Sequence, residues 1–238
     1  GPVSGSPLLR FTNIDPIKEY NISNDIVISF KKSGSNDFKI INDNAKSNFK
    51  DKVTLIFSTG DIDLDGDTDL FISQSNVKKN ITKQFIFSNE NGKYIKKTIE
   101  SKIVHSSNDI YSKFSDYNND GYLDLFIINA NENMIYKNLG NEKFELSNSL
   151  DFSNFKSKRG VFMDFDIEGD LDLILFDDKT IEVFQNTSEG TFKKIKKNIG
   201  LDNSGLGKKL ITHADFNDDG DNDIIIVKYN GKCDYYEN

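Results

Sequence analysis

The sequence predicts an all-β protein, a β-propeller of four-stranded blades, five in number, with acidic hairpin loops. Three observations predict it. An acidic motif recurs four times without gaps. The apolar stretches are short, rich in Ile, Phe and Val, and bounded by Gly, Asn and Asp clusters, which is strand-and-turn patterning. The repeat runs at about 50 residues, enough for one four-stranded blade. No stretch combines a helical period with caps.

The motif copies are DIDLDGDTDLFI from Asp61, DYNNDGYLDLFI from Asp116, DFDIEGDLDLIL from Asp164 and DFNDDGDNDIII from Asp215. Their starts lie 55, 48 and 51 residues apart. A weaker copy upstream, Asp25-Ile26-Val27-Ile28, matches Asp69-Leu70-Phe71-Ile72 but has no acidic loop before it. Each unit carries a second landmark downstream: IINDN, IFSNENGKY, IYKNLGNEKF, VFQNTSEGTF and, at the C-terminus, YYEN. One strand therefore precedes the acidic loop and one follows it. A third ends in aromatic-x-Asn, and a fourth starts at the Phe or Tyr after a Gly turn. Residues 89–92 and 186–190 are turn chemistry for the hairpin joining the last two.

Five landmarks mean five blades. The last one ends where the fifth blade's final strand is due, and Leu8–Asn13 is the expected donor of that strand. The alternative is that this segment opens the first blade and belongs to a larger propeller. Residues 1–6 read as a tag scar and linker, and residues 7–238 as a single propeller domain of a larger protein.

Composition narrows the function. The 238 residues suffice to bury a core. Acids outnumber bases 38 to 30, for a net charge of −8, which opposes nucleic-acid binding because phosphate neutralisation needs a basic stripe. No apolar run approaches the ~20 residues of a membrane helix, so this chain has no transmembrane segment. A single cysteine, Cys233, excludes an internal disulfide framework and a Cys-rich zinc site.

The acidic loops carry the chemistry. Oxygen-bearing side chains recur at positions 1, 3, 5 and 9, with Gly after position 5. Calcium takes six to eight hard oxygens, and alternate carboxylates of a tight loop converge on one point. Gly permits the sharp turn. The backbone carbonyl of position 7 is the expected extra ligand, leaving the side chains of Asp67, Tyr122, Asp170 and Asp221 free to vary. An EF-hand starts alike but needs a bidentate Glu at position 12 and flanking helices. Here position 12 is Ile72, Ile127, Leu175 or Ile226, inside a strand.

These residues resemble FG-GAP/VCBS repeats, found in the N-terminal propeller of integrin α subunits and in many secreted bacterial and protist proteins. The resemblance runs from about residue 8 to the end, without a clean Gly-Ala-Pro element. It implies up to four Ca²⁺. The implied ligands are Asp61, Asp63, Asp65 and Asp69; Asp116, Asn118, Asp120 and Asp124; Asp164, Asp166, Glu168 and Asp172; and Asp215, Asn217, Asp219 and Asp223. Glu168 is one methylene longer than its counterparts, so loop three is expected to coordinate with shifted geometry. The first unit, with Asp15-Pro16-Ile17-Lys18-Glu19 in place of the loop, is expected to bind no metal.

Calcium at millimolar levels acts as a staple. A site at a hundred times its Kd stabilises by about 2.7 kcal/mol, most of which vanishes at cytosolic calcium. The expected compartment is therefore outside the cell, at its surface or in the secretory lumen. The resemblance further implies adhesion or receptor-type recognition of a protein ligand, through connectors at about 99–108, 148–158 and 197–208. The alternatives are a calcium-dependent lectin and a structural module of a larger enzyme or membrane protein.

No enzyme is expected. His213 reads as a packed strand histidine, His105 lies in a connector, and Cys233 reads as a buried thiol. Tyr111, Phe114, Tyr117 and Tyr122 read as blade core, with a sugar-stacking site as the alternative. Lys78-Lys79, Lys96-Lys97, Lys193-Lys194 and Lys196-Lys197 read as charged strand edges.

Overall fold

The computed structural model describes residues 30–32, 38–40, 54–76, 81–90, 93–97, 109–140, 143–147, 152, 155–187, 190–195, 200–201, 210–228 and 231–238. Among them there is no helix, and hence none long and apolar enough to cross a membrane. The chain divides into two compact units, Gly1–Val53 and Thr54–Asn238. In the first, β1 (Phe30–Lys32) pairs antiparallel with β2 (Phe38–Ile40). The expected strand at Asp25–Ile28, the loop replacement at Asp15–Glu19 and the ring-closing segment Leu8–Asn13 lie outside the described residues.

The second unit is a series of antiparallel meanders. The first joins β3 (Thr54–Gly60), β4 (Asp69–Asn76), β5 (Ile81–Glu90) and β6 (Lys93–Lys97). The next joins β7 (Asp109–Ser115), β8 (Asp124–Asn129), β9 (Asn133–Asn138) and β10 (Phe144–Leu146). The third joins β11 (Arg159–Met163), β12 (Asp172–Phe176), β13 (Ile181–Thr187) and β14 (Thr191–Lys194). The last has three described strands, β15 (Leu210–Ala214), β16 (Asp223–Val227) and β17 (Cys233–Tyr236). The first three sheets carry the four strand roles read from the repeat, in the same order, and the last carries the first three among the described residues, an arrangement consistent with propeller blades. The first strands of successive sheets adjoin: β3 beside β7, β7 beside β11, and β11 beside β15.

The core lies between sheets. A strand sends alternate side chains to opposite faces, and the second strands are buried on both. In β8, Leu125 and Ile127 pack toward Phe71 and Ile86 of the preceding sheet. Phe126 and Ile128 pack toward Phe162, Leu173 and Leu175 of the following one. β12 repeats the device, with Leu173 and Leu175 in that cluster and Ile174 and Phe176 facing Ile211, Ile224 and Ile226. This double burial explains why these strands read as unbroken apolar runs rather than alternating ones.

Two expectations change here, at the connector 148–158 and at Cys233, and the expected core role of the aromatic group is met. The connector 148–158 is not a free binding loop over its described part. Phe152 is fully buried, with ring centroids 5.3 Å from Phe192 and 5.7 Å from Phe184. Asn133 Nδ2 donates to the carbonyls of Phe152 at 2.9 Å and Phe155 at 2.5 Å, and Ser157 Oγ donates to Asn133 Oδ1. Cys233 is exposed rather than buried, because it sits on β17, the edge strand of the described three-stranded sheet. Most of the aromatic group near the second loop is core: Phe114 and Tyr117 are buried, and the Tyr111 hydroxyl donates to the Gly160 carbonyl at 2.8 Å. The lysines at 96–97 and 193–194 fall on the outer strands β6 and β14.

Candidate metal loops

Each acidic loop is the hairpin between a blade's first and second strands. Position 9 pairs across the ladder with the residue just before position 1: Gly60 with Asp69, Ser115 with Asp124, Met163 with Asp172 and Ala214 with Asp223. The connection between them turns through two left-handed residues. One is the expected Gly at position 6 (Gly66, Gly121, Gly169 and Gly220, φ 88 to 99°). The other is position 4, occupied by Leu64, Asn119, Ile167 and Asp218 at φ 55 to 63°. Asn and Asp tolerate that region, whereas a β-branched Ile is strained in it. Backbone strain of this kind concentrates at functional sites.

The position-1 carboxylate is held by loop amides. Asp61 accepts from the N–H groups of Asp65 at 3.2 Å and Gly66 at 3.0 Å. Asp116 accepts likewise from Asp120 and Gly121, and Asp215 from Asp219 and Gly220. Asp164 accepts from Gly169 alone among these, at 3.0 Å.

The position-9 carboxylates are buried, at 0–1% exposure. One oxygen accepts from the N–H of position 2: Ile62 to Asp69 at 2.8 Å, Phe165 to Asp172 at 3.0 Å and Phe216 to Asp223 at 3.1 Å. The other accepts from the N–H of the aromatic-x-Asn asparagine: Asn89, Asn138, Asn186 and Asn238, at 2.7 to 3.1 Å. The side chain thus clamps the loop to the third strand. Burial pushes Asp124 up to about 7 and Asp172 up to about 6, against the lowering effect of these hydrogen bonds, and neighbouring loop acids add to the rise. Asp69 is raised for the same reasons.

The residue before the landmark asparagine also faces the loop. Ser88 Oγ lies 3.4 Å from Asp63 Oδ2, and Gln185 Nε2 donates to Asp166 Oδ2 at 2.5 Å. Lys137 Nζ lies 3.1 Å from Asp120 Oδ2. Glu237 Oε1 accepts from Asn217 Nδ2 at 3.1 Å. The repeat pattern marked this asparagine but assigned no role to it or to its neighbour. The signal was present in its recurrence after each acidic loop, 14 or 15 residues beyond position 9 in three units and 20 in the first.

Two loops bring acids together most closely among the described residues. One carboxylate oxygen from each of Asp61, Asp63 and Asp65 lies within 4.8 Å of the others, and so does one from each of Asp164, Asp166 and Asp172. In loop three, Asp164 Oδ1, Asp166 Oδ1 and Asp170 Oδ1 are buried without a hydrogen-bond partner. Buried carboxylate oxygens that lack donors call for a cation. The donor set is oxygen only, with no thiolate or imidazole, which suits calcium or magnesium rather than zinc. The residues present therefore fit the implied metal. At position 7, Asp67 and Asp221 donate N–H to Asp65 and Asp219, Tyr122 does so to Asp120, and Asp170 departs from the pattern by being buried. His213 is half-buried on β15, with Nδ1 3.4 Å from Asn222 Oδ1.

This hairpin architecture agrees with the family comparison. The model of the FG-GAP-like repeat matches residues 116–174 and 164–226. The chain therefore carries an FG-GAP/VCBS repeat-type domain. Among solved structures it resembles a lectin from Agrocybe aegerita, described as recognising non-reducing terminal N-acetylglucosamine. The TM-score is 0.55 and the identity 21%, over 81% of this chain and 51% of that one. The chain thus spans about half the length of that lectin, and the likeness is one of fold. No curated protein matches the sequence.

Proposed function

We propose that this chain is a non-enzymatic, calcium-stabilised β-propeller module of a larger protein, presenting its surface to a protein ligand outside the cytosol. The observation that carries the reading is the same acidic hairpin at the same place in four successive sheets, with convergent carboxylates in two of them. The FG-GAP-like repeats support it. A cation at a loop would neutralise clustered carboxylates that otherwise repel, and the position-9 clamp would carry that stabilisation into the blade. The acids most evident in the sequence would then serve metal rather than acid–base catalysis.

A glycan ligand is the second reading. It is favoured by the lectin-like fold and by one exposed aromatic pair, Phe216 and Tyr235, with centroids 6.3 Å apart and each about half exposed. Such a pair offers a ring face for stacking.

The test is thermal unfolding with calcium or chelator, together with a count of bound metal. Calcium should raise Tm by several degrees, since about 1 kcal/mol moves the Tm of a domain this size by ~2–4 °C. No metal bound and no shift would end the calcium reading. Binding screens in millimolar calcium, against glycans and cell-surface proteins, then separate the two ligand classes.

A further inference from the structure

We infer that loop three holds its cation through a ligand set of its own: Asp164, Asp166, Asp172 and the side chain of Asp170, with Glu168 outside the set. This rests on the reading of the loops as calcium sites. It departs from the pattern in which positions 1, 3, 5 and 9 give side chains and position 7 gives only its carbonyl.

The argument begins with the extra methylene of Glu168. In the other three loops the position-5 N–H donates to the position-1 carboxylate, and position 7 donates its N–H back to the position-5 carboxylate. The described bonds of loop three include neither, and its retained loop bond to position 1 is Gly169 to Asp164. Glu168 is exposed, and the converging group in this loop comprises positions 1, 3 and 9, whereas in loop one it comprises 1, 3 and 5.

Asp170 takes up the vacated role. It is 7% exposed, and its Oδ1 is buried with no hydrogen-bond partner. The charges that act on it are Asp166, Asp164 and Glu168, in that order, so its carboxylate sits against Asp166 and Asp164, two of the acids that a cation would bridge. Gln185 holds Asp166 by Oδ2 and leaves Oδ1 for the ion. Four carboxylates thus remain available in loop three although position 5 has turned outward. An acid buried against like charges without a donor is costly unless a cation joins it. The same acid at position 7 of loop one, Asp67, is only half-buried.

Metal counting and calcium titration on the full chain test this, using wild type, Asp170→Asn, Glu168→Gln and, as a loop-one comparison, Asp65→Asn. Asp170→Asn should lose one bound ion, or weaken one site at least tenfold, while its chelated form melts higher than chelated wild type because a repelling charge is gone. Glu168→Gln should keep the wild-type count and affinity. Asp65→Asn should weaken one site. If Glu168→Gln loses an ion and Asp170→Asn does not, or if neither or both lose one, the proposed set is wrong. A wild-type chain that binds no calcium overturns both this inference and the reading beneath it, whereas a wild type that binds calcium isolates the ligand question.

Discussion

The side-chain amide of Asn186 donates to the carbonyl of Tyr117 at 2.6 Å, joining residues 69 apart in sequence on neighbouring blades. It also donates to Leu171 of its own loop at 3.1 Å. Asn138 repeats this with Ile62 at 2.9 Å and Leu123 at 3.2 Å, and Asn238 reaches Phe165 at 3.0 Å. In each case the amide caps position 2 of the preceding blade's acidic loop. Its own backbone N–H meanwhile satisfies the position-9 carboxylate of its own loop. Blade contact and acidic loop are therefore one hydrogen-bonded structure.

Asn186→Ala is expected to destabilise the chain by about 1–3 kcal/mol, since it strands two carbonyls behind a buried side chain. Urea denaturation measures this. Asn186→Asp should cost at least as much, because it replaces donors with an acceptor facing carbonyls. Wild-type midpoints for both variants would mean that the staple carries no energy.

Without metal, stability should fall as pH rises from about 4 to about 7. Burial holds Asp124 up to about 7 and Asp172 up to about 6, against about 3.9 in an unfolded chain. In that window the folded chain keeps protons that the unfolded chain has released, so raising pH favours unfolding. Calcium binds the ionised carboxylates and should flatten or reverse the trend. Tm against pH, in chelator and in calcium, reads both signs. A chelated Tm that climbs across this range would refute the assignment.

Lys137→Gln should tighten calcium binding at loop two several-fold. The ammonium lies 3.1 Å from Asp120, and loop two has Asn118 where loops one and three have Asp. An intramolecular cation at position 5 competes with an incoming one. The gain should shrink at high salt, where charges separated across solvent are screened. Calorimetric titration at two ionic strengths decides it, and equal affinities for wild type and variant would exclude competition.

Much of this was legible in the sequence. Four strand roles appear in three of the described sheets and three in the last, and the acidic hairpin with its Gly turn appears in all four. Each depends on residues within about a dozen positions, through the two-residue period of strands and the conformational demands of turns. The left-handed backbone at Ile167 was not legible, since an Ile does not announce a conformation that disfavours it and loop closure imposes it from outside. Nor was the burial of Phe152, inside a stretch that reads as a polar connector.

By itself, the sequence determined the repeat, the order of strands within a blade and the clustering of carboxylates in each turn, because these are local. The tertiary structure alone decided which oxygens converge, which way Asp170 turns, what Asn186 caps and that Cys233 lies on an edge. Those outcomes depend on groups brought together from neighbouring strands and blades, where packing and unpaired buried polar atoms rather than local preference select the arrangement.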